Sequence, residues 1–85
     1  MHEMGIADSI LSAVRTEAER HPGARVRTVG LRIGEYAGVD SESLRFCFDV
    51  LKKDTGFEGA TLEIETRPEA VDLDLCYLEL EDGEK

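Results

Sequence analysis

From Met4 to His21 the apolar residues Ile6, Ile10, Val14 and Ala18 recur four positions apart, with Ala7 and Leu11 beside them. That spacing draws one apolar stripe along an α-helix, and Arg15, Glu17, Glu19 and Arg20 fill much of the remaining surface. Pro22 disfavours helical backbone at His21, and Gly23 suits the left-handed conformation that closes a helix, so the first helix is predicted to stop at about His21. Arg25 to Glu35 changes period. Val29, Leu31 and Ile33 fall on one face and Thr28, Gly30 and Arg32 on the other, the pattern of a strand with one wet side. Gly34 and Gly38 bracket a turn, and Asp40 or Ser41 can cap the second helix by accepting from the unpaired amides of its first turn. Leu44, Cys47, Phe48 and Leu51 form its buried stripe. Lys52 and Lys53 fall in its last turn, where positive charge complements the carbonyl end, and Gly56 is placed to end it.

Thr61 to Glu65 alternates Leu62 and Ile64 with polar neighbours and follows a strand and a helix, so it is predicted to lie parallel to the first strand through a crossover. Asp72 to Glu81 alternates in two phases, Leu73, Leu75 and Tyr77 in one and Leu78 and Leu80 in the other; the slip predicts a bulge near Cys76 and Tyr77. Pro68 keeps the connection out of the sheet, and the last two strands are expected to pair as an antiparallel hairpin. The predicted fold is α+β: two helices packed with a three-stranded mixed β-sheet, in the order α-β-α-β-β, forming one domain over residues 1–85.

At 85 residues the chain has room for one core. Its 19 acidic and 10 basic side chains give a net charge of −9, which repels nucleic acid and anionic lipid, so neither is an expected partner. The same balance suits a metal cation, a basic protein face or a plainly solvated exterior. The two cysteines, Cys47 and Cys76, lie far apart and outside any C-x-x-C pair, so one chain builds neither a disulfide framework nor a four-cysteine zinc site. Flanked by Phe46 and Phe48, and by Leu75 and Tyr77, they read as two small core residues in a reducing compartment. No basic region followed by an apolar stretch opens the chain, and no apolar run is long enough to cross a bilayer; a cytoplasmic location is expected.

Enzyme motifs are missing: no Gly-rich phosphate cradle follows a strand and no G-x-S-x-G occurs. Glu35 and Tyr36 are better read as capping a turn and covering the core than as an acid and a base, so the chain is not expected to be an enzyme. His21 sits on the closing turn of a helix, where imidazole commonly meets the carbonyl end. His2 differs because it follows the terminal amine. The Met1 amine, the His2 imidazole and the backbone amides of His2 and Glu3 can set four nitrogens in one plane around a divalent ion. Square-planar nitrogen donation suits Ni(II) or Cu(II) and poorly suits tetrahedral Zn(II). The amine must first lose a proton, near pH ~8 in model peptides. A bulky second residue spares the initiator methionine from removal and keeps that amine in place. On position alone, a histidine near a chain start without a metal is the competing reading.

Met1-His2-Glu3, followed by the Ile6-Ala7 helix, resembles the opening of the HypA/HybF family of hydrogenase nickel-insertion proteins. LRIGEYAGVD (31–40) resembles that family's strand and turn, SLRFCFDVLKKDTGFEGATLEIE (43–65) its second helix and following strand, and LDLCYLELE (73–81) its closing strand. The resemblance implies a nickel metallochaperone that binds Ni(II) through Met1, His2 and Glu3, with the backbone of Glu3 as donor and its carboxylate in support. It further implies delivery with a HypB-type GTPase to the large subunit of a [NiFe] hydrogenase, and in relatives to urease. One departure is plain. The family inserts a zinc module with two C-x-x-C pairs between the last two strands, where this chain has only Arg67 to Asp72, so no zinc is expected; a natural shortened paralogue and an engineered deletion fit equally. The alternative function is an adaptor that docks on a hydrogenase-related or other assembly through the same fold without delivering nickel.

Overall fold

The computed structural model describes residues 2–82. Helix α1 spans Glu3–Ala18 and buries Ala7, Ile10, Leu11 and Val14 of the predicted stripe, with Ile6 and Ala18 half-buried against the core. It ends three residues before His21. The N–H groups of Arg20 and His21 donate to the carbonyls of Glu17 and Ala18, both at 3.0 Å, and this tightened last turn leads into Pro22 and Gly23 (φ 88°). Strand β1 (Ala24–Gly34) follows, then α2 (Ser41–Leu51), β2 (Thr61–Arg67) and β3 (Leu73–Asp82), in the predicted order. The Asp40 side chain caps α2, accepting from the N–H groups of Glu42 (3.1 Å) and Ser43 (3.3 Å). At the other end of α2, Lys52 Nζ donates to the Ala60 carbonyl at 2.6 Å and pairs with Asp49.

The sheet order is β2-β1-β3: β1 is central, parallel to β2 and antiparallel to β3. The strand-helix-strand crossover is as predicted, but the last two strands form no hairpin. They flank β1 on opposite sides. The reason lies in the two faces of β1. Val29, Leu31 and Ile33 are buried under the helices, while Thr28 and Gly30 on the opposite face are buried as well, so β1 tolerates a neighbour on each edge and cover on each face. The link between β2 and β3 therefore passes over the end of β1. Two inter-strand spacings are only about 10 Å, well within reach of the residues between Arg67 and Leu73. Gly34 N–H donates to the Asp72 carbonyl (2.7 Å), Glu35 N–H to that of Arg67 (2.8 Å) and Tyr36 N–H to that of Ala70 (2.8 Å). Glu35 returns the contact, its Oε1 accepting from Glu69 N–H at 3.0 Å, which is the turn-holding role expected of it. A Cβ at position 34 would run into the Ala70 carbonyl, so glycine is required for the strap to lie this close.

The predicted bulge is present: Gly30 pairs with Tyr77 and Leu31 with Leu75, which leaves Cys76 as the extra residue. A second register shift, between Val26 and Thr28, leaves Arg27 unpaired. Because a bulged residue leaves the alternation, Cys76 is exposed and is not the core residue expected of it; Cys47 is half-buried and packs against the core. Phe48, Leu31, Leu44, Val14 and Val29 are the largest fully buried side chains. Both helices lie on one face of the sheet, α1 against α2 and β1, and α2 against β2, where the Arg45 guanidinium donates to the Leu62 carbonyl. The opposite face carries Tyr77, whose ring lies over Gly30, and whose hydroxyl donates to Glu63 Oε1 at 2.6 Å. Among the described residues no helix is long and apolar enough to cross a membrane.

Candidate metal centre

Of the three residues singled out at the amino terminus, His2 and Glu3 meet the fold at the start of α1. Met1 lies outside the described residues. His2 is the N-cap of α1, with non-helical backbone (φ −95°, ψ 76°), and its carbonyl accepts the first helical hydrogen bond, from Ile6 N–H at 3.1 Å. Its imidazole makes no capping bond and is exposed. Helix geometry leaves the N–H groups of the first turn, that of Glu3 among them, without an intrahelical acceptor. A metal that displaced that amide proton would thus break no bond of the helix.

Glu3 is anchored by its side chain instead. Its Oε2 accepts from Asp40 N–H at 2.9 Å, and Asp40 is the N-cap of α2. The two helices thus begin side by side, their partial positive ends converging, and the carboxylates of Glu3 and Asp40 compensate them. This contact fixes the direction in which the first turn of α1 points. Sequence reasoning gave Glu3 a supporting part but did not find Asp40 as its partner. The pair is 37 residues apart, and no local pattern encodes it.

No group of three or more His, Cys, Asp or Glu side chains among the described residues is arranged to hold a metal ion. The two cysteines are both free, Cys47 on α2 and Cys76 on β3. A donor set of one imidazole and main-chain nitrogens at the amino terminus is compatible with that finding, because it asks for no side-chain cluster. His21, the other histidine, lies beyond the opposite end of α1 with its Nε2 3.8 Å from Glu17 Oε2, beside a carboxylate and not on the terminal carbonyls as expected.

Comparison with known proteins agrees with the fold. The solution structure of the Ni metallochaperone HypA from Helicobacter pylori matches with a TM-score of 0.70, covering 100% of this chain and 91% of that one at 14% identity, a likeness of fold alone. The family model described as "Hydrogenase/urease nickel incorporation, metallochaperone, hypA" matches residues 1–84, and the chain belongs to that family. Among similar curated proteins, the hydrogenase maturation factor HypA of Alkalilimnicola ehrlichii is 48% identical over 68 residues, 80% of this chain and 60% of that protein. The hydrogenase maturation factor HypA of Dehalococcoides mccartyi is 38% identical over 76 residues, 89% of this chain and 64% of that protein. The chain thus spans about three fifths of the length of the curated relatives it matches.

Proposed function

We propose that this chain captures Ni(II) at its amino terminus, through the Met1 amine, the His2 imidazole and the backbone nitrogens of His2 and Glu3, and passes it on as cargo. The observation that carries the reading is the start of α1, where an exposed N-cap imidazole adjoins a first-turn amide that owes the helix nothing, on a turn held in place by the Glu3–Asp40 contact. Membership of a nickel-incorporation family supports nickel over copper as the ion. The recipient in this reading is a [NiFe] hydrogenase large subunit, approached with a HypB-type GTPase, and the chain itself carries no zinc and catalyses no reaction.

Titration of Ni(II) into untagged protein tests the site. The parent protein should develop the yellow absorption of planar, low-spin Ni(II), whereas His2→Ala and an N-acetylated form should not. Equal uptake by all three forms would place the ion elsewhere and end the proposal.

A further inference from the structure

Strand β3 is paired along its length with β1, yet none of its residues is buried. Its helix-side row, Leu73, Leu75, Leu78 and Leu80, stands opposite Ile33, Leu31, Val29 and Val26, all four of which are buried. Leu75 and Leu80 each keep 37% of their surface exposed. The cause is the position of α1, which packs on α2 and β1 and leaves Leu73 and Leu78 only partly covered and Leu75 and Leu80 exposed. Facing β3, α1 presents small residues at four-residue spacing, Gly5, Ser9 and Ala13.

Between these two surfaces runs a furrow. One part, of 590 Å³, reaches from His2 along Gly5 and Ser9 to Leu75; the next, of 560 Å³, continues past Glu17 to His21 and Leu80. Both parts share Ala13 and Leu75, so they form one channel along the helix. Its outer side opens on the unpaired edge of β3, since the sheet order places β3 outermost. Bare strand N–H and C=O groups beside slots for alternate side chains are what strand addition requires. A helix laid in the same furrow would leave those backbone groups to water.

Charge selects the occupant. On its other face β3 carries Asp74 and Glu79, neither of which forms an ion pair among the described residues, and Glu63 and Glu65 of β2 share that face. Arg27 and Arg32, the basic residues of β1 nearest to them, are already engaged with Glu81 and Glu65. A second copy of β3 would set carboxylate against carboxylate across the new strand pair, which is destabilising. A cationic strand meets the opposite situation. We infer that β3 and the furrow beneath α1 receive an extended segment of a partner protein in which apolar residues alternate with lysine or arginine, the apolar ones entering the furrow and the basic ones facing Asp74 and Glu79. The segment becomes a fourth strand. This holds whether or not the amino terminus binds nickel, and the test is made without metal.

The probe is a synthetic decapeptide of alternating valine and lysine, titrated into the metal-free chain and followed by amide hydrogen exchange; a peptide of five lysines followed by five valines is its composition control. Only the alternating peptide should slow exchange of amides in residues 73–82. Leu75→Glu and, separately, Leu80→Glu should weaken its binding roughly tenfold to a hundredfold, the range for losing one buried leucine contact, and circular dichroism confirms that each variant is folded. Asp74→Lys with Glu79→Lys should weaken it as well. Equal protection by both peptides, protection confined to other residues, or undiminished binding by both folded leucine variants would overturn the inference. So would a dimer formed through residues 73–82 without peptide, which would assign the edge to a second copy.

Discussion

The carboxylate of Glu3 accepts the backbone N–H of Asp40 at 2.9 Å, joining the first turn of one helix to the cap of the other. Each residue thereby serves both helices: Asp40 caps α2 with its side chain while its main chain steadies α1. Glu3→Ala should cost about 1 kcal/mol, the scale of one hydrogen bond at a partly exposed site, whereas Glu3→Gln keeps an acceptor and should lose less. Urea denaturation measures both. In the proposed metal site Glu3 donates through its backbone, so the nickel spectrum of Glu3→Ala should keep the shape of the parent's. A changed band would make the carboxylate a ligand.

Nickel uptake should strengthen as pH rises. In the proposed site, binding expels the proton of the terminal amine, whose ordinary value lies near ~8, together with amide protons that only the metal can displace. Titrations between pH 6 and 9, in that range of about three units, should show apparent affinity increasing throughout and acid releasing the ion. An affinity that is flat with pH would exclude amine and amide donors.

Glu63 holds the Tyr77 hydroxyl and pushes its ionisation up to about 12, chiefly by accepting a hydrogen bond from the phenol, with partial burial adding to the effect. Folded protein keeps that proton where the unfolded chain, titrating near ~10, has lost it. The stabilisation is therefore complete below pH ~10 and drains away as pH climbs toward 12. Absorbance titration of a Tyr36→Phe protein follows Tyr77 alone and should give a midpoint of about 12; Glu63→Ala should bring that midpoint down. Tyr77→Phe should remove the part of the alkaline stability loss that belongs to this phenol.

Gly34→Ala should destabilise the fold by about 2 kcal/mol, because the added methyl meets the Ala70 backbone, which cannot swing aside as a side chain would. Gly59→Ala, which meets nothing within 4 Å, is the control and should stay within roughly 0.5 kcal/mol of the parent. Comparable losses in the two variants would show that position 34 has no special demand.

Much of this architecture was legible because its signals are local. The four-residue spacing from Ile6 to Ala18, the Asp40 cap and the phase slip at Cys76 each depend on neighbours in sequence, and each is found in the structure. Strand adjacency is not local, and there the reading failed: a short link between β2 and β3 suggested a hairpin, although the same length suffices to step over β1. A usable signal was present in Thr28 and Gly30, small uncharged residues on the supposed wet face of β1, whereas the same face carries Glu63 and Glu65 on β2 and Asp74 and Glu79 on β3. Uncharged residues on both faces, as from Thr28 to Leu31, mark a central strand. At the candidate site the sequence indicated His2 and Glu3 but gave no hint of Asp40, since two helix starts far apart in the chain meet only after the sheet has placed them.

The strap from Arg67 to Asp72 is hydrogen-bonded to the tip of β1 and the turn after it, and its Glu69, with φ 60°, is exposed. Extra chain spliced in at Pro68 and Glu69 would leave every strand register untouched, so this is the seam at which the domain can lengthen or shorten over evolutionary time.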